Sequence, residues 1–261
     1  KWNKYAGRDI IPLWVADMDF AAPQPVLDAL HRRLEHGVLG YAAPTPSLVE
    51  ATLAYLDANY GWKVEPEWLV WLSGVVTGLN LACRVVDGGV ITATPVYPPF
   101  LSVPGGAGRT LATVPLSLAD GRWGWDFAAM EAAVTPTTRL LLLCHPHNPV
   151  GRVWKEWELR KIGDICLKHN VLVVSDEIHS DFTYGENIHH VFASLDEKYA
   201  AITTTCTAPS KTFNIAGLQI SNIWISNPEL RARFRAEVIA AGYSQVNLMG
   251  LVACQAAYET G

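Results

Sequence analysis

Short apolar runs alternate with amphipathic stretches from residue 69 onwards. Several runs are apolar at consecutive positions, as in parallel strands that are covered on both faces. The stretches between them carry apolar residues at helical spacing, which is typical of a mostly parallel sheet flanked by helices. This α/β pattern predicts seven strands, at residues 69–72, 90–94, 109–114, 140–144, 171–175, 201–205 and 221–225.

Helices are predicted before and between these strands. The first begins near Pro25, because proline suits the first helical turn and apolar residues follow on one face. The second covers 48–60, with Ser47 as N-cap and Gly61 at its end. Further helices are predicted at 76–86, 127–133, 155–169, 228–242 and from about 246. We expect an arm or small-domain segment over 1–30, a large domain over 31–245, and the start of another helix over 246–261.

Composition narrows the class of protein. Half of the 261 residues are hydrophobic and 17% are charged, which suits a large buried core. The net charge of −5 gives no general attraction to nucleic acid or an anionic membrane, and no apolar run approaches a membrane span in length. The opening residues resemble neither a signal nor a transit peptide. Five scattered cysteines without a CxxC pair indicate reduced thiols, so we expect a cytoplasmic protein.

Ligands of open α/β sheets bind beyond the carboxyl ends of the strands, so the residues there are candidates for chemistry. Gly74, Val75 and Val76 follow the first strand and lead into a helix whose free N–H groups suit a phosphate. A plain tight turn is the alternative. Tyr97 follows the second strand among prolines and could stack on a planar ligand, or pack against the rim of the core.

Polar side chains also follow strands 140–144 and 171–175. Asn148 lies between two prolines, which fix its position, and its amide can donate and accept hydrogen bonds. His145 and His147 could suggest a metal, but no third ligand is near. Asp176 ends an apolar strand, and a buried carboxylate needs a cationic or donor partner, here a ligand or an arginine. We expect Glu177 to face solvent or cap a helix, and His179 to lie on the side of Asp176.

Lys211 stands in the polar turn after strand 201–205. A lysine desolvated at a strand end can form a Schiff base with an aldehyde, although a surface lysine is the simple alternative. The strand ends together offer an anion loop, a stacking ring, an amide, an acid and an amine. Pyridoxal 5′-phosphate (PLP), a planar phosphorylated aldehyde whose ring nitrogen needs an acid partner, matches all five.

Six motifs carry a family resemblance across nearly the whole chain: IPLWVADMDF (11–20), SGVVTGLN (73–80), TPVYPPF (94–100), CHPHNPVGRVW (144–154), SDEIHSDF (175–182) and APSKTFNIAGLQ (208–219). The chain resembles fold-type I PLP enzymes of the class I/II aminotransferase group. It is most similar to the MalY/PatB branch of cystathionine β-lyase-like carbon–sulfur lyases. The ADMDF and DEIH motifs favour this branch, because typical aminotransferases carry a tyrosine at the position of His179.

The resemblance implies a role for each candidate. Lys211 would hold PLP and act as base at the substrate Cα, and Asp176 would pair with the ring nitrogen. Asn148, with His179 nearby, would contact the ring hydroxyl, and Tyr97 would stack on the ring. The phosphate would bind to the turn at Gly74, to the N–H groups of Val75 and Val76, and to Ser210. Tyr41 would reach the cofactor of a neighbouring subunit, which implies a homodimer.

The implied reaction is α,β-elimination of cystathionine or another S-substituted cysteine to thiol, pyruvate and ammonia. Transamination and a non-catalytic regulatory role are the alternatives. The sequence departs from the wider aminotransferase pattern at Gln219, where many members have an arginine, and at Ala208, where serine is frequent. The resemblance further implies a C-terminal small domain, with the arginine that binds the substrate carboxylate, largely missing from this chain. We therefore expect weak or no turnover from the chain alone.

Overall fold

The computed structural model describes residues 3–13 and 16–260. Its larger elements, in chain order, are α1 (Gln24–His36), α2 (Pro46–Tyr60), β1 (Leu69–Leu72), α3 (Val75–Val85), β2 (Gly89–Thr94), α4 (Pro99–Gly106), β3 (Leu111–Pro115), β4 (Ser117–Ala119), β5 (Arg122–Gly124), α5 (Phe127–Ala133), β6 (Thr138–Cys144), α6 (Glu156–Lys168), β7 (Leu172–Asp176), α7 (Glu197–Ala200), β8 (Thr203–Thr207), β9 (Ser221–Trp224), α8 (Pro228–Ala240) and α9 (Leu248–Thr260).

Seven of the strands form one sheet in the order β1-β9-β8-β7-β6-β2-β3. The pairs among β3, β2, β6, β7 and β8 are parallel, whereas β9 runs antiparallel to both of its neighbours. The predicted mostly parallel, seven-stranded sheet is therefore confirmed. The carboxyl ends of six strands meet at one edge, and the chain enters β9 from that same edge.

Two hydrophobic layers cover the sheet and explain its continuous apolar strands. Leu140 and Leu142 of β6 belong to the layer that packs under α3, α4 and α8. Leu141 and Leu143 belong to the opposite layer, under α5, α6 and α7. Because successive side chains of a strand point to opposite faces, both sets must be apolar when both faces are covered.

One local prediction was wrong, and two elements were missed. The N-cap of α2 is Thr45, whose hydroxyl accepts the Leu48 N–H at 3.2 Å, and the predicted cap Ser47 lies within the first turn. Helix α4 was missed, because Pro104 and two glycines disguise its pattern. The β4–β5 hairpin was also missed, although its turn carries the Asp120–Gly121 pair with both φ angles positive, as a tight hairpin turn requires.

The terminal helices pack together at one side of the sheet. Val26 of α1 is buried against Ala253 and Ala257 of α9, and α9 also contacts α2. Helix α1 continues through residue 30, where the predicted arm ends. The division into three segments stays a prediction. No helix in residues 3–13 or 16–260 is long and apolar enough to cross a membrane.

Candidate active site

A cleft of about 850 Å³ of empty space, part of it open to solvent, lies at the carboxyl edge of the sheet. The segments after β1, β2, β6, β7 and β8 all contribute to its wall. Nine predicted site residues line it: Gly74, Val75, Val76, Tyr97, Asn148, Asp176, His179, Ser210 and Lys211.

Asp176 is the acidic group of the cleft. It ends β7 between Cys144 of β6 and Cys206 of β8, and only 6% of its surface is exposed. Its Oδ1 accepts the Ile178 N–H at 3.2 Å, and no described arginine pairs with it, so the alternative of an arginine salt bridge is wrong. Burial, with a smaller contribution from Glu177, raises the pKa of Asp176 to about 7 against the opposing charge of Lys211. Such a carboxyl suits a protonated nitrogen of a ligand.

Lys211 is the basic group of the cleft. A tight turn holds it, because the Phe213 N–H donates to the Pro209 carbonyl and the Ile215 N–H to the Ser210 carbonyl, both at 3.0 Å. The Lys211 side chain is half-buried, and within 3–13 and 16–260 its amine has no hydrogen bond or ion pair. A primary amine that faces a cleft without a partner is available for covalent chemistry.

The N-terminus of α3 forms the anion-binding end of the cleft. The first N–H groups of a helix lack intrahelical partners, and those of Val75, Val76 and Thr77 belong to residues that line the cleft. Gly78 makes the first helical bond, from its N–H to the Gly74 carbonyl at 3.2 Å. The helix dipole adds to the attraction for a phosphate. Ser210 supplies a hydroxyl to the same cleft.

Backbone hydrogen bonds join the loops that carry Tyr97 and Asn148. The Tyr97 N–H donates to the Asn148 carbonyl at 3.0 Å, and the Asn148 N–H donates to Cys144 Sγ at 3.3 Å. Both side chains face the cleft, so the ring and the amide are available to a ligand. Burial, and then the charge of Lys211, lowers the pKa of His179, which keeps this imidazole neutral at pH 7.

Two groups of candidates lie elsewhere. Tyr41 is 96% exposed and does not line the cleft. Its predicted contact with a neighbouring subunit therefore stays a prediction. His145 Nε2 bonds to the His190 carbonyl at 2.9 Å and His147 Nε2 to the Pro95 carbonyl at 2.8 Å. The described residues contain no group of side chains that could hold a metal ion.

Glu177 was expected to face solvent or a helix cap, and this was wrong. The residue is fully buried, and its carboxylate accepts hydrogen bonds from Ser175 Oγ at 2.7 Å and the Phe192 N–H at 3.1 Å. His189 Nε2 lies 2.7 Å from its other oxygen. Alternation along the chain sends Asp176 to the cleft and Glu177 to the interior behind it.

Sequence reasoning did not assign Cys144, Ile178 and Gln219 to the cleft, although all three line it. Cys144 could have been found, because it ends β6 in register with Asp176 and therefore shares its face of the sheet. Gln219 adopts a left-handed φ of 51° just before β9 enters the sheet. Because of this turn, the segment that leads into the antiparallel strand β9 contributes Gln219 to the wall of the cleft.

The sequence profile of the family described as aminotransferase class I and II matches residues 8–256. The chain belongs to this family. Two class I and II relatives are cystathionine beta-lyase PatB of Bacillus subtilis, 42% identical over the whole chain and 70% of PatB, and MalY of Escherichia coli, 31% identical over the whole chain and 69% of MalY. The predicted MalY/PatB branch is therefore confirmed.

The solved structure of cystalysin from Treponema denticola, which contains PLP, is similar to this class I and II aminotransferase fold with a TM-score of 0.94 and 39% sequence identity. The match covers 99% of this chain and 66% of cystalysin. Enzymes of the family depend on PLP. A fold similar to that of this chain thus occurs in a protein that contains this cofactor.

Proposed function

We propose that this chain forms the PLP-binding part of a carbon–sulfur β-lyase, which cleaves cystathionine or another S-substituted cysteine. The observation that carries the proposal is one cleft that contains a helix N-terminus, a lysine and a buried carboxyl, with no ion pair to either side chain within residues 3–13 and 16–260. The identity to PatB, a cystathionine beta-lyase, supports the choice of reaction.

The residues of the cleft fit PLP at three chemically different points. The amine of Lys211 would link covalently to the aldehyde carbon, and the carboxylate of Asp176 would bind the protonated ring nitrogen. The N–H groups of Val75 and Val76, together with Ser210, would hold the phosphate. Asn148 and Tyr97 would contact the ring hydroxyl and the ring face. When bound, PLP supplies an electron-withdrawing ring that stabilises negative charge at the substrate Cα.

The proposed reaction uses Lys211 as the base in the cleft. After the substrate amine replaces it on the aldehyde carbon, the released amine of Lys211 would take the proton from the substrate Cα, a transfer that contributes about 10²–10⁴-fold to rate in comparable enzymes. Loss of that proton allows the Cβ–S bond to break, and its electron pair leaves with the sulfur as thiolate. The remaining unsaturated amine adds water and yields pyruvate and ammonia. The lowered pKa of His179 keeps its imidazole neutral, so it adds no positive charge that would oppose protonation of the Lys211 amine.

Transamination is the second candidate, because the family profile that matches the chain is that of aminotransferases. The same lysine, acid and amide would serve it. His179 distinguishes the two, since the resemblance places a tyrosine there in typical aminotransferases. We therefore rank the lyase first.

We also propose a homodimer that works in the cytoplasm. Tyr41 is exposed, and so are the apolar side chains of Ile11, Leu13 and Phe20, which a second subunit would cover. All five cysteines are buried and unpaired, which suits a reducing compartment. Sedimentation of the purified protein tests the dimer, and a monomeric mass would contradict it.

The decisive experiment supplies the natural full-length protein with cystathionine and, separately, with an amino acid plus 2-oxoglutarate. We expect thiol and pyruvate from the first mixture, and a visible absorbance band from the bound cofactor. Lys211→Ala should abolish both, whereas Lys198→Ala, on a surface lysine paired with Asp164, should change neither. Glutamate without thiol would reverse the ranking of the two reactions. A protein without PLP by mass spectrometry would overturn the whole assignment.

A further inference from the structure

A cluster of hydroxyl groups surrounds Asp181, outside the set of residues assigned to the cofactor. Its carboxylate accepts hydrogen bonds from the hydroxyls of Tyr55, at 3.0 Å, and of Tyr60 and Thr212. No ion pair joins Asp181 to any residue in the described ranges. An acid whose partners are three hydroxyls, in a half-buried position, is an organised acceptor and not a solvated surface charge.

The hydrogen bond between Asp181 and Thr212 joins two loops of the cleft. One loop carries the acid Asp176, and the other carries the amine of Lys211. Thr212 directly follows Lys211, and Asp181 lies two residues after His179 and five after Asp176. The Lys211 amine has no hydrogen bond of its own in the described structure. The position of this amine in the cleft therefore depends on the backbone of the turn that carries Lys211. The Thr212 side chain links this turn to Asp181.

Helix α2 holds the acceptor in place. The Tyr60 hydroxyl also bonds to Ser180 Oγ at 2.9 Å, and the Tyr55 ring packs on Tyr258 of α9 at 4.5 Å between centroids. Burial and the Asp181 charge raise the pKa of both α2 tyrosines, so their hydroxyls stay protonated and donate to Asp181. The two tyrosines of α2 thus hold the Asp181 carboxylate in place. The Thr212 hydroxyl donates to this carboxylate, whose position is already fixed.

We propose that Asp181 is a positioning residue that acts through Thr212 to set the place of the Lys211 amine relative to Asp176. The inference rests on the proposed role of Lys211. Reactions in pre-organised sites depend steeply on the placement of the reacting atom, so a small shift of the turn would reduce turnover much more than substrate binding. A cluster that served only to pack α2 would leave the chemistry of Lys211 unchanged.

The test compares Thr212→Val, which removes the hydroxyl at nearly constant shape, with Thr212→Ser, which retains it, in the natural full-length protein. Thr203→Val is the matched control, because the hydroxyl of Thr203 in β8 donates to the Tyr199 carbonyl of α7 and Thr203 does not line the cleft. Three readouts are measured: deuterium exchange of residues 208–215 without cofactor, the pH midpoint of the cofactor absorbance band, and kcat against KM.

We expect Thr212→Val to lower kcat by about 10–100-fold with KM within about threefold, in line with the cost of misplacing a reacting group. Exchange of 208–215 should accelerate and the absorbance midpoint should shift. Thr212→Ser should restore all three readouts, and Thr203→Val should move none of them. Asp181→Asn weakens the acceptor of all three hydroxyls and should lower kcat at least as much as Thr212→Val, and the double variant should lose little more than Asp181→Asn alone, since Thr212 is already one of the weakened partners.

A Thr212→Val protein with the exchange, midpoint and kcat of the wild type would overturn the inference while PLP binding and lyase activity persist. An equal loss in Thr212→Val and Thr212→Ser would also overturn it, because the serine retains the hydroxyl. A wild-type protein that binds no PLP would instead overturn the proposed function, and with it the role given to Asp181.

Discussion

Glu177 Oε2 lies 2.7 Å from His189 Nε2 in the interior of the protein, directly behind Asp176. The His189 ring stacks on that of His145 at 4.4 Å between centroids. Burial raises the pKa of Glu177 to about 7 and lowers that of His189. The two consecutive acids therefore have different roles. Asp176 faces the cleft, and Glu177 holds the segment around residue 190 against the sheet.

Replacement of Glu177 by alanine should destabilise the cofactor-free protein by about 3 kcal/mol or more, because each buried polar group left without its partner costs about 1–3 kcal/mol. The change leaves Ser175 Oγ, His189 Nε2 and the Phe192 N–H without their acceptor. Urea denaturation at pH 7 measures the loss. Glu156→Ala, which removes an exposed partner of Arg160, is the control and should have no measurable effect. Equal urea midpoints for the two variants would contradict this account.

Asp176→Asn should stabilise the cofactor-free protein at alkaline pH. Burial raises the pKa of Asp176 in the folded protein to about 7, well above the ordinary value for an aspartate. Ionisation of Asp176 therefore costs the wild type no stability below pH 4. The free energy of unfolding decreases as the pH rises from there to 7. We expect the variant to be more stable by about 3–4 kcal/mol at pH 8, and the difference to shrink towards pH 4.

Denaturant titrations at pH 5, 6.5 and 8 measure this dependence. The same variant should bind PLP more weakly, because an amide cannot neutralise a protonated ring nitrogen. A stability difference that is constant with pH would show that Asp176 is not desolvated in the folded protein. The acid thus costs stability in the free protein at neutral pH and is useful only with a ligand bound.

Gly250→Ala should weaken the packing of α9 against the segment that leads into β9. An added Cβ would lie 2.6 Å from the Leu218 carbonyl oxygen and 3.2 Å from the Ile220 Cβ. The helix would have to move away, at a cost of about 1–3 kcal/mol in the free energy of unfolding. Gly217→Ala is the matched control, since its Cβ would meet no atom within 4 Å among the described residues beyond its chain neighbours. Thermal unfolding of both variants tests the prediction, and similar midpoints would refute it.

Asn214→Gly should release the segment around residues 16–20 from the edge of the cleft. The Asn214 side chain donates to the carbonyls of Met18, at 3.3 Å, and Phe20, at 2.9 Å, and accepts the Met18 N–H at 3.2 Å. Glycine is chosen because Asn214 has a left-handed φ of 53°, which glycine adopts without strain.

We expect deuterium exchange at Met18 to accelerate by about tenfold, the equivalent of one lost hydrogen bond. Asn187→Gly removes a hydrogen bond within a distant exposed turn and is the control. Unchanged exchange at Met18 in Asn214→Gly would mean that other contacts hold this segment.

The strands and most of the cleft could be predicted from the sequence because both depend on local patterns. Strand β1 was placed at its observed bounds, and the other six strands of the main sheet within two residues at either end, since their apolar runs are interrupted by turns. Lys211, Asp176 and Asn148 each follow such a run. Parallel strands bring their carboxyl ends to one edge, so the sheet itself gathers these residues.

Sequence alone therefore determined the seven-stranded sheet and the lysine, acid, amide and helix N-terminus at its edge, because runs of adjacent residues encode them. The tertiary structure decided the rest. Glu177 is buried because a segment twelve residues later covers that side of the sheet with His189, and Thr212 finds Asp181 across 31 residues. These contacts depend on how segments that are distant in the chain pack against each other. The periodicity within one segment does not specify which other segment it contacts.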